Sequence, residues 1–218
     1  MTPATRSGTI EEGSRWLHRA VARLADDLRT HHQPTAEHSH RLARAARHLA
    51  DRLGLDALQA TECELVAIVH DVGKLAVPAE LLDRPGALTP AQRALLRGHA
   101  LAGGDILARR AGLEDLAPSV RHVHEAWDGS GYPSGLSGDA IPLPARIVCV
   151  ADAYDAMTHD RAYRPALPCP EARMRLALGA GGQFDPAVVR AYLGHLHDRA
   201  DRRFTRTAPP SSPPWPLL

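Results

Sequence analysis

With 218 residues and 44% hydrophobic side chains, the chain can bury one large core or two small ones. A formal net charge of +1 gives no global basic field for a nucleic-acid polymer or a membrane surface, and no run reaches the roughly 18 apolar residues of a membrane span. Cys63, Cys149 and Cys169 are odd in number and far apart, which argues against a disulfide frame or a zinc ribbon and for a reducing, cytoplasmic compartment.

Aromatic residues are only 4%, and Ala, Leu, Val and Arg dominate, a balance that favours helices packed through small aliphatic side chains. After a loose arm over residues 1–8, the spacing of Trp16, Leu17, Val21, Leu24 and Leu28 predicts an amphipathic helix over Ile10–Arg29. Residues 1–30 are thus an arm and helix that pack on the main domain or lead into it. The stripe is explained equally by packing on the core or by pairing between subunits, so a homodimer or a regulatory protein partner stays open. His31-His32-Gln33-Pro34 breaks the helix, Thr35 caps a second one, and Gly54 stops it. Asp56 caps a third helix that runs through Leu65 and Ile68 into His70-Asp71. A short turn follows at Leu81-Leu82. Thr89-Pro90 with Gln92 reads as a cap, a first-turn proline and a capping-box partner for a long helix past His99, bent at Gly103-Gly104. Pro118 starts a helix carrying His122 and His124.

Trp127–Pro144 is rich in Gly and Pro and has neither helical nor strand period; a loop this long in a compact domain points to function or disorder. Ala145–Met157 has a β-branched start, but Pro144 in a first-turn position and the length favour a helix. Two more helices fit Glu171–Gly179 and Pro186–Leu196, and the Pro/Ser-rich tail 205–218 is expected to be disordered. The expected fold is all-α, one helical bundle over residues 31–204 with a long inserted loop.

Within AIVHDVGKLAVP, an apolar helix ends in adjacent imidazole and carboxylate ligands, followed by Gly73 for a sharp turn. Lys74 is the only lysine among 26 basic residues, which points to a need for a compact point charge that arginine's fork cannot replace. Candidate metal ligands are spread over five segments: His38, His70-Asp71, His99, His124 and Asp152. Facing helices of a bundle can bring such a set together. Asp152 sits in the otherwise apolar IVCVADAYDAMT, where a buried carboxylate needs a partner or a cation. Asp155, one turn on, reads equally as a surface acid or as an acid behind the ligands. His18, His31, His32, His40, His48, His195 and His197 read as ordinary surface or capping residues. Mixed imidazole and carboxylate ligands suit Fe, Mn, Co or Zn.

In order along the chain, TAEHSHRL, HDVGKLAVP, LLDRPGALT, RGHALAGG, HEAWDGSGYPSG, PLPARIVCVADAYDAMTHDRAYR and GGQFDP are similar to blocks of the HD-GYP domain, a bacterial branch of the HD phosphohydrolases that hydrolyses cyclic di-GMP. The resemblance covers roughly residues 35–190. It implies an HD-type helical bundle and a divalent cofactor, Fe or Mn, with His38, His70, Asp71 and Asp152 holding one firm metal. Asp71 would bridge to a second position reached by His99 and His124. Lys74 and Asp71 would act at the scissile phosphate, Arg161 and Arg164 would contact the nucleotide, and Gly131, Tyr132 and Pro133 would shape the entrance. The chain departs from the family at Val123, where most members carry a first histidine before His124, and at Pro34, where members with a third metal carry a glutamate. The second position is therefore expected to lack a ligand, and a third metal is not expected. Besides a phosphodiesterase acting on cyclic di-GMP, two readings stay open: a degenerate module that binds nucleotide or protein without turnover, and another HD-type nucleotide phosphohydrolase using one metal.

Overall fold

The computed structural model describes the backbone of residues 7–160 and 165–207, and the side chains of 15–160 and 165–197. Among the described residues ten α-helices follow in order: α1 (Ser7–His31), α2 (Gln33–Arg52), α3 (Ala57–Val69), α4 (Ala79–Leu82), α5 (Pro90–Arg97), α6 (His99–Ala108), α7 (Ala117–Arg121), α8 (Leu143–Thr158), α9 (Cys169–Leu178) and α10 (Pro186–Thr207). Among the described residues there is no strand, only an isolated bridge between Ala180 and Phe184. The fold is all-α. No helix among the described residues is long and apolar enough to cross a membrane.

The middle of the bundle is α3, whose Ala60, Cys63, Leu65, Val66, Ala67 and Val69 are all buried. A helix apolar nearly all round must be enclosed, and α2 and α8 lie against it. Leu42, Ala46 and Leu49 of α2 and Ile147, Val150 and Ala151 of α8 complete this centre. Each fully buried leucine contributes roughly 1.5–3 kcal/mol to holding it together. On α1, Val21, Leu24, Ala25 and Leu28 are buried within the same chain, so its stripe packs on the core, while Trp16 is half exposed over Gly112.

The helix ends follow local chemistry. Asp56 accepts from the N–H groups of Leu58 and Gln59, and the Gln59 side chain accepts from the Asp56 N–H in return. Thr89 and Gln92 close the same kind of box. Gly54 terminates α2 with φ +75°. Four expectations need correction. α2 starts at Gln33, and its cap is the His32 ring, which accepts from the Thr35 N–H; Thr35 itself lies inside the helix. The long helix through His99 divides at Gly98 into α5 and α6, and Gly103 and Gly104 are used for close packing. α7 ends at Arg121, so His122 and His124 follow the helix instead of riding on it. α10 continues beyond Leu196 to Thr207, while 208–218 lie outside the described residues.

Candidate metal centre

Five parts of the bundle converge on one point. α2 supplies His38, the end of α3 supplies His70 and Asp71, α6 opens with His99, the segment after α7 brings His124, and α8 carries Asp152. The ligand atoms of His38, His70 and Asp71 lie within 4.8 Å of one another, as do those of Asp71, His99 and His124. Asp71 belongs to both groups and is buried. Its Oδ2 faces His70 Nε2 at 3.4 Å and Lys74 Nζ at 2.5 Å, while Oδ1 faces His99 Nε2 at 3.3 Å. Asp152 Oδ1 lies 3.1 Å from His38 Nε2. The Lys74 side chain keeps 22% of its surface against 3% for Asp71, so the ammonium stands on the solvent side of the pair.

Gly73 explains how the two groups come so close. A methyl group there would sit 1.9 Å from the His99 carbonyl oxygen and 2.5 Å from the Gly103 N–H nitrogen. Only glycine lets the turn carrying Asp71 and Lys74 lie backbone to backbone against α6.

The hydrogen bonds decide whether these residues fit a cation. His70 Nδ1 contacts the Ala67 carbonyl at 2.9 Å and His99 Nδ1 contacts the Leu96 carbonyl at 2.5 Å. A carbonyl only accepts, so both rings carry their proton on Nδ1, and a neutral ring then offers a lone pair at Nε2. Burial lowers the pKa of His70, and burial with His99 alongside pushes His124 down to about 4. The bare lone pair of His70 thus points at a carboxylate. Burial opposes the Asp71 charge, yet His70, Lys74 and His99 hold this carboxyl well below the usual range. His99 Nε2 and His124 Nε2 face each other at 2.9 Å. The Nε2 lone pairs of His70 and His99 are thus both aimed at Asp71 oxygens; acceptors aimed at acceptors are what a divalent cation resolves, and the donor set fits one.

The Trp127–Pro144 loop is fastened to this centre. Tyr132 stacks on His124, ring centroids 5.1 Å apart at 20°, and its N–H donates to the His124 carbonyl at 3.1 Å. A methyl group on Gly131 would meet the Ala126 nitrogen at 2.2 Å, so this glycine is required by a backbone crossing. Pro133 follows through a cis bond. The buried Glu125 carboxylate accepts from the Ser134 and Gly135 N–H groups at 2.8 and 3.0 Å. Outer backbone bonds from Trp127 and Asp128 to Gln183 and Gly182 hold the loop to the α9–α10 connection.

Val123 is 1% exposed in the apolar core, and the second group assembles without it. His122 does not replace it; its Nδ1 lies 3.2 Å from the Glu125 carboxylate. Arg161 and Arg164 lie outside the described residues. Two neighbours were missed in the sequence. Arg97 holds its guanidinium carbon 4.9 Å from the Tyr132 ring centroid, and Arg41 reaches Asp155 behind His38. Arg41 had a readable signal, being one helical turn from His38; Arg97 had none, since its partner lies on a loop 35 residues on.

Comparison with known proteins identifies the family of the chain. The HD domain family matches residues 22–188. A probable cyclic di-GMP phosphodiesterase of Vibrio cholerae is 36% identical over 204 residues, 86% of this chain and 46% of that protein. A cyclic di-GMP phosphodiesterase of Thermotoga maritima is 35% identical over 169 residues, covering 77% and 45%. The chain spans about half the length of these curated relatives. Among solved structures, an HD-GYP protein from Bdellovibrio bacteriovorus superimposes with a TM-score of 0.62 at 21% identity, covering 75% of this chain and 52% of that one. A cyclic GMP-AMP specific phosphodiesterase from V. cholerae gives 0.62 at 18% identity, covering 88% and 51%. These two likenesses concern the fold. With its matched core and its His-Asp pair in place, the chain belongs to the HD domain family, on the HD-GYP branch.

Proposed function

We propose that the chain is a metal-dependent phosphodiesterase that hydrolyses cyclic di-GMP to the linear dinucleotide or GMP. The observation that carries this reading is the pair of ligand groups sharing Asp71 beside Lys74. His38, His70, Asp71 and Asp152 would hold one ion, and Asp71, His99 and His124 a second, with Fe or Mn suited to the mixed donors. Bound divalent metal would supply Lewis-acid polarisation of phosphoryl oxygen and acidify water. Lys74, partly open to solvent, is placed to donate to a non-bridging phosphate oxygen and to neutralise charge that grows in the transition state. Burial pushes the Tyr132 hydroxyl up to about 12, so at neutral pH it stays a neutral donor at the rim. Arg97 beside it adds a cation there, and Arg161 and Arg164 are assigned to the nucleotide on resemblance. The catalytic unit is taken as residues 31–204, with α1 packed on it. A cytoplasmic site of action fits the three unpaired thiols.

A second reading has one specific observation in its favour: with Val123 in the core, the second group has three ligands among the described residues. Such a chain would bind nucleotide without turnover. Stripping the purified protein of metal, restoring Mn²⁺ or Fe²⁺, and following cyclic di-GMP and cyclic GMP-AMP separates the readings. Two ions per chain with cyclic di-GMP turnover is the expected result. Binding of cyclic di-GMP without hydrolysis would favour the second reading, and turnover of cyclic GMP-AMP alone would move the substrate class.

Metal uptake should also release a proton. Burial disfavours a charged His38, but Asp152 and Asp155 outweigh it and push its pKa up to about 9 in the metal-free protein. A raised histidine contributes stability that is fully present below pH 6.5 and lost as pH rises through about 9. At pH 7 a cation must displace that proton. Calorimetry of Mn²⁺ binding in buffers of different ionisation enthalpy should show about one proton released for the first ion; a heat independent of buffer would contradict the His38 assignment.

A further inference from the structure

The two ring nitrogens of His38 meet different carboxylates. Nε2 faces Asp152 at 3.1 Å, while Nδ1 lies 2.6 Å from Asp155 Oδ2. Asp155 is buried and gripped from its other side by a two-pronged contact: Arg41 Nε donates to Oδ1 and Nη2 to Oδ2, both at 3.0 Å. His159 Nδ1 also lies 3.1 Å from Oδ1. The arrangement follows from helix geometry. Arg41 is one turn after His38 on α2, Asp155 is one turn after Asp152 on α8, and the helices face each other, so two (i, i+3) pairs close a four-sided figure. Only the His38 and Asp152 side borders the first ligand group. Nothing in the proposed reaction requires Arg41 or Asp155 to touch substrate.

We propose that Asp155, clamped by Arg41, is a positioning residue for the first metal: it accepts the Nδ1 proton of His38 and so presents Nε2 as the ligand atom. An unpartnered imidazole can carry its proton on either nitrogen and can rotate about its side-chain bonds. A carboxylate fixed by an arginine fork removes both freedoms and makes Nε2 a better donor. Lysine at position 41 could supply charge but not the two-point grip that holds the carboxylate plane. His70 and His99 are oriented differently, each by a backbone carbonyl one turn back, so this carboxylate device belongs to His38 among the ligands.

The inference rests on the reading of His38 as a ligand, and Mn²⁺ binding to the full chain tests both. Asp155→Asn should weaken Mn²⁺ at one position about 10–100-fold, the range for losing a carboxylate behind a ligating histidine. Arg41→Lys, which keeps the charge, should weaken the same position by a smaller factor. Glu64→Gln serves as control: it breaks an ion pair of α2 with α3, from Arg47 to Glu64 at 3.3 Å, and should leave Mn²⁺ affinity unchanged. Wild-type Mn²⁺ affinity in both Asp155→Asn and Arg41→Lys would overturn the positioning role and leave a purely structural ion pair. A wild-type chain that takes up no Mn²⁺ would overturn this inference together with the metal reading beneath it.

Discussion

Asp71→Ala is expected to empty both metal positions and to lower cyclic di-GMP hydrolysis by on the order of 10³-fold or more, at least what the loss of one transition-state contact costs. The reason is geometric. Asp71 is the only residue common to the two ligand groups, and its oxygens are divided between them, Oδ2 toward His70 and Lys74, Oδ1 toward His99. Replacing His124 would cost one group; replacing Asp71 costs both and frees Lys74 from the carboxylate that holds it. Asp71→Asn, similar in volume, guards against a trivial loss of fold. Circular dichroism should match wild type in that variant while metal content, read by elemental analysis, falls from two ions toward none. An Asp71→Ala protein that keeps its metals and its turnover would sink the whole site assignment.

Gly73→Ala should be nearly as damaging, although it removes no functional atom. The added methyl would sit 1.9 Å from the His99 carbonyl, where real contacts of this kind begin near 3.0 Å, so the turn and α6 must part by about 1 Å. Both neighbours are backbone and cannot rotate away. The Asp71–His99 contact of 3.3 Å spans that same seam, so the two ligand groups separate together with it. Overpacking of this kind costs about 1–3 kcal/mol of stability, and misplacement by 1 Å costs about 10²-fold in rate. Thermal unfolding and turnover should therefore both fall. A variant with wild-type midpoint and activity would show that the seam is slack.

Much of the frame was legible because its causes are local. The Asp56 and Thr89 boxes depend on residues three positions apart, and the apolar run of α3 announces its own enclosure. α8 declared itself through Pro144 and its length, despite the β-branched start. Illegible features depend on partners distant in sequence. Gly103 and Gly104 read as a bend because glycine signals freedom to move; their use here is contact, against Gly73 and against Arg121 and Ala117 of α7, which no local pattern reports. His122 and His124 read as helical because Pro118 starts a helix, but α7 is only five residues long, and the turn after it lets Val123 enter the core while His124 faces the site. The role of Asp155 was undecidable locally, since its partners His38 and Arg41 are more than a hundred positions away. The candidate ligands were named as a set because their residue types are distinctive; the order in which Asp71 joins them required the fold.

The bonding of Glu125 bears on how this scaffold can diversify. Its carboxylate grips the loop backbone at Ser134 and Gly135, and its chain neighbour is His124, on which Tyr132 also stacks. Loop and His124 therefore behave as one casting, and a loop of different length or path would drag His124 with it. A change in ligand preference is consequently channelled into outward side chains on an unchanged backbone, with positions such as 97 and 132 the natural places for selectivity to drift.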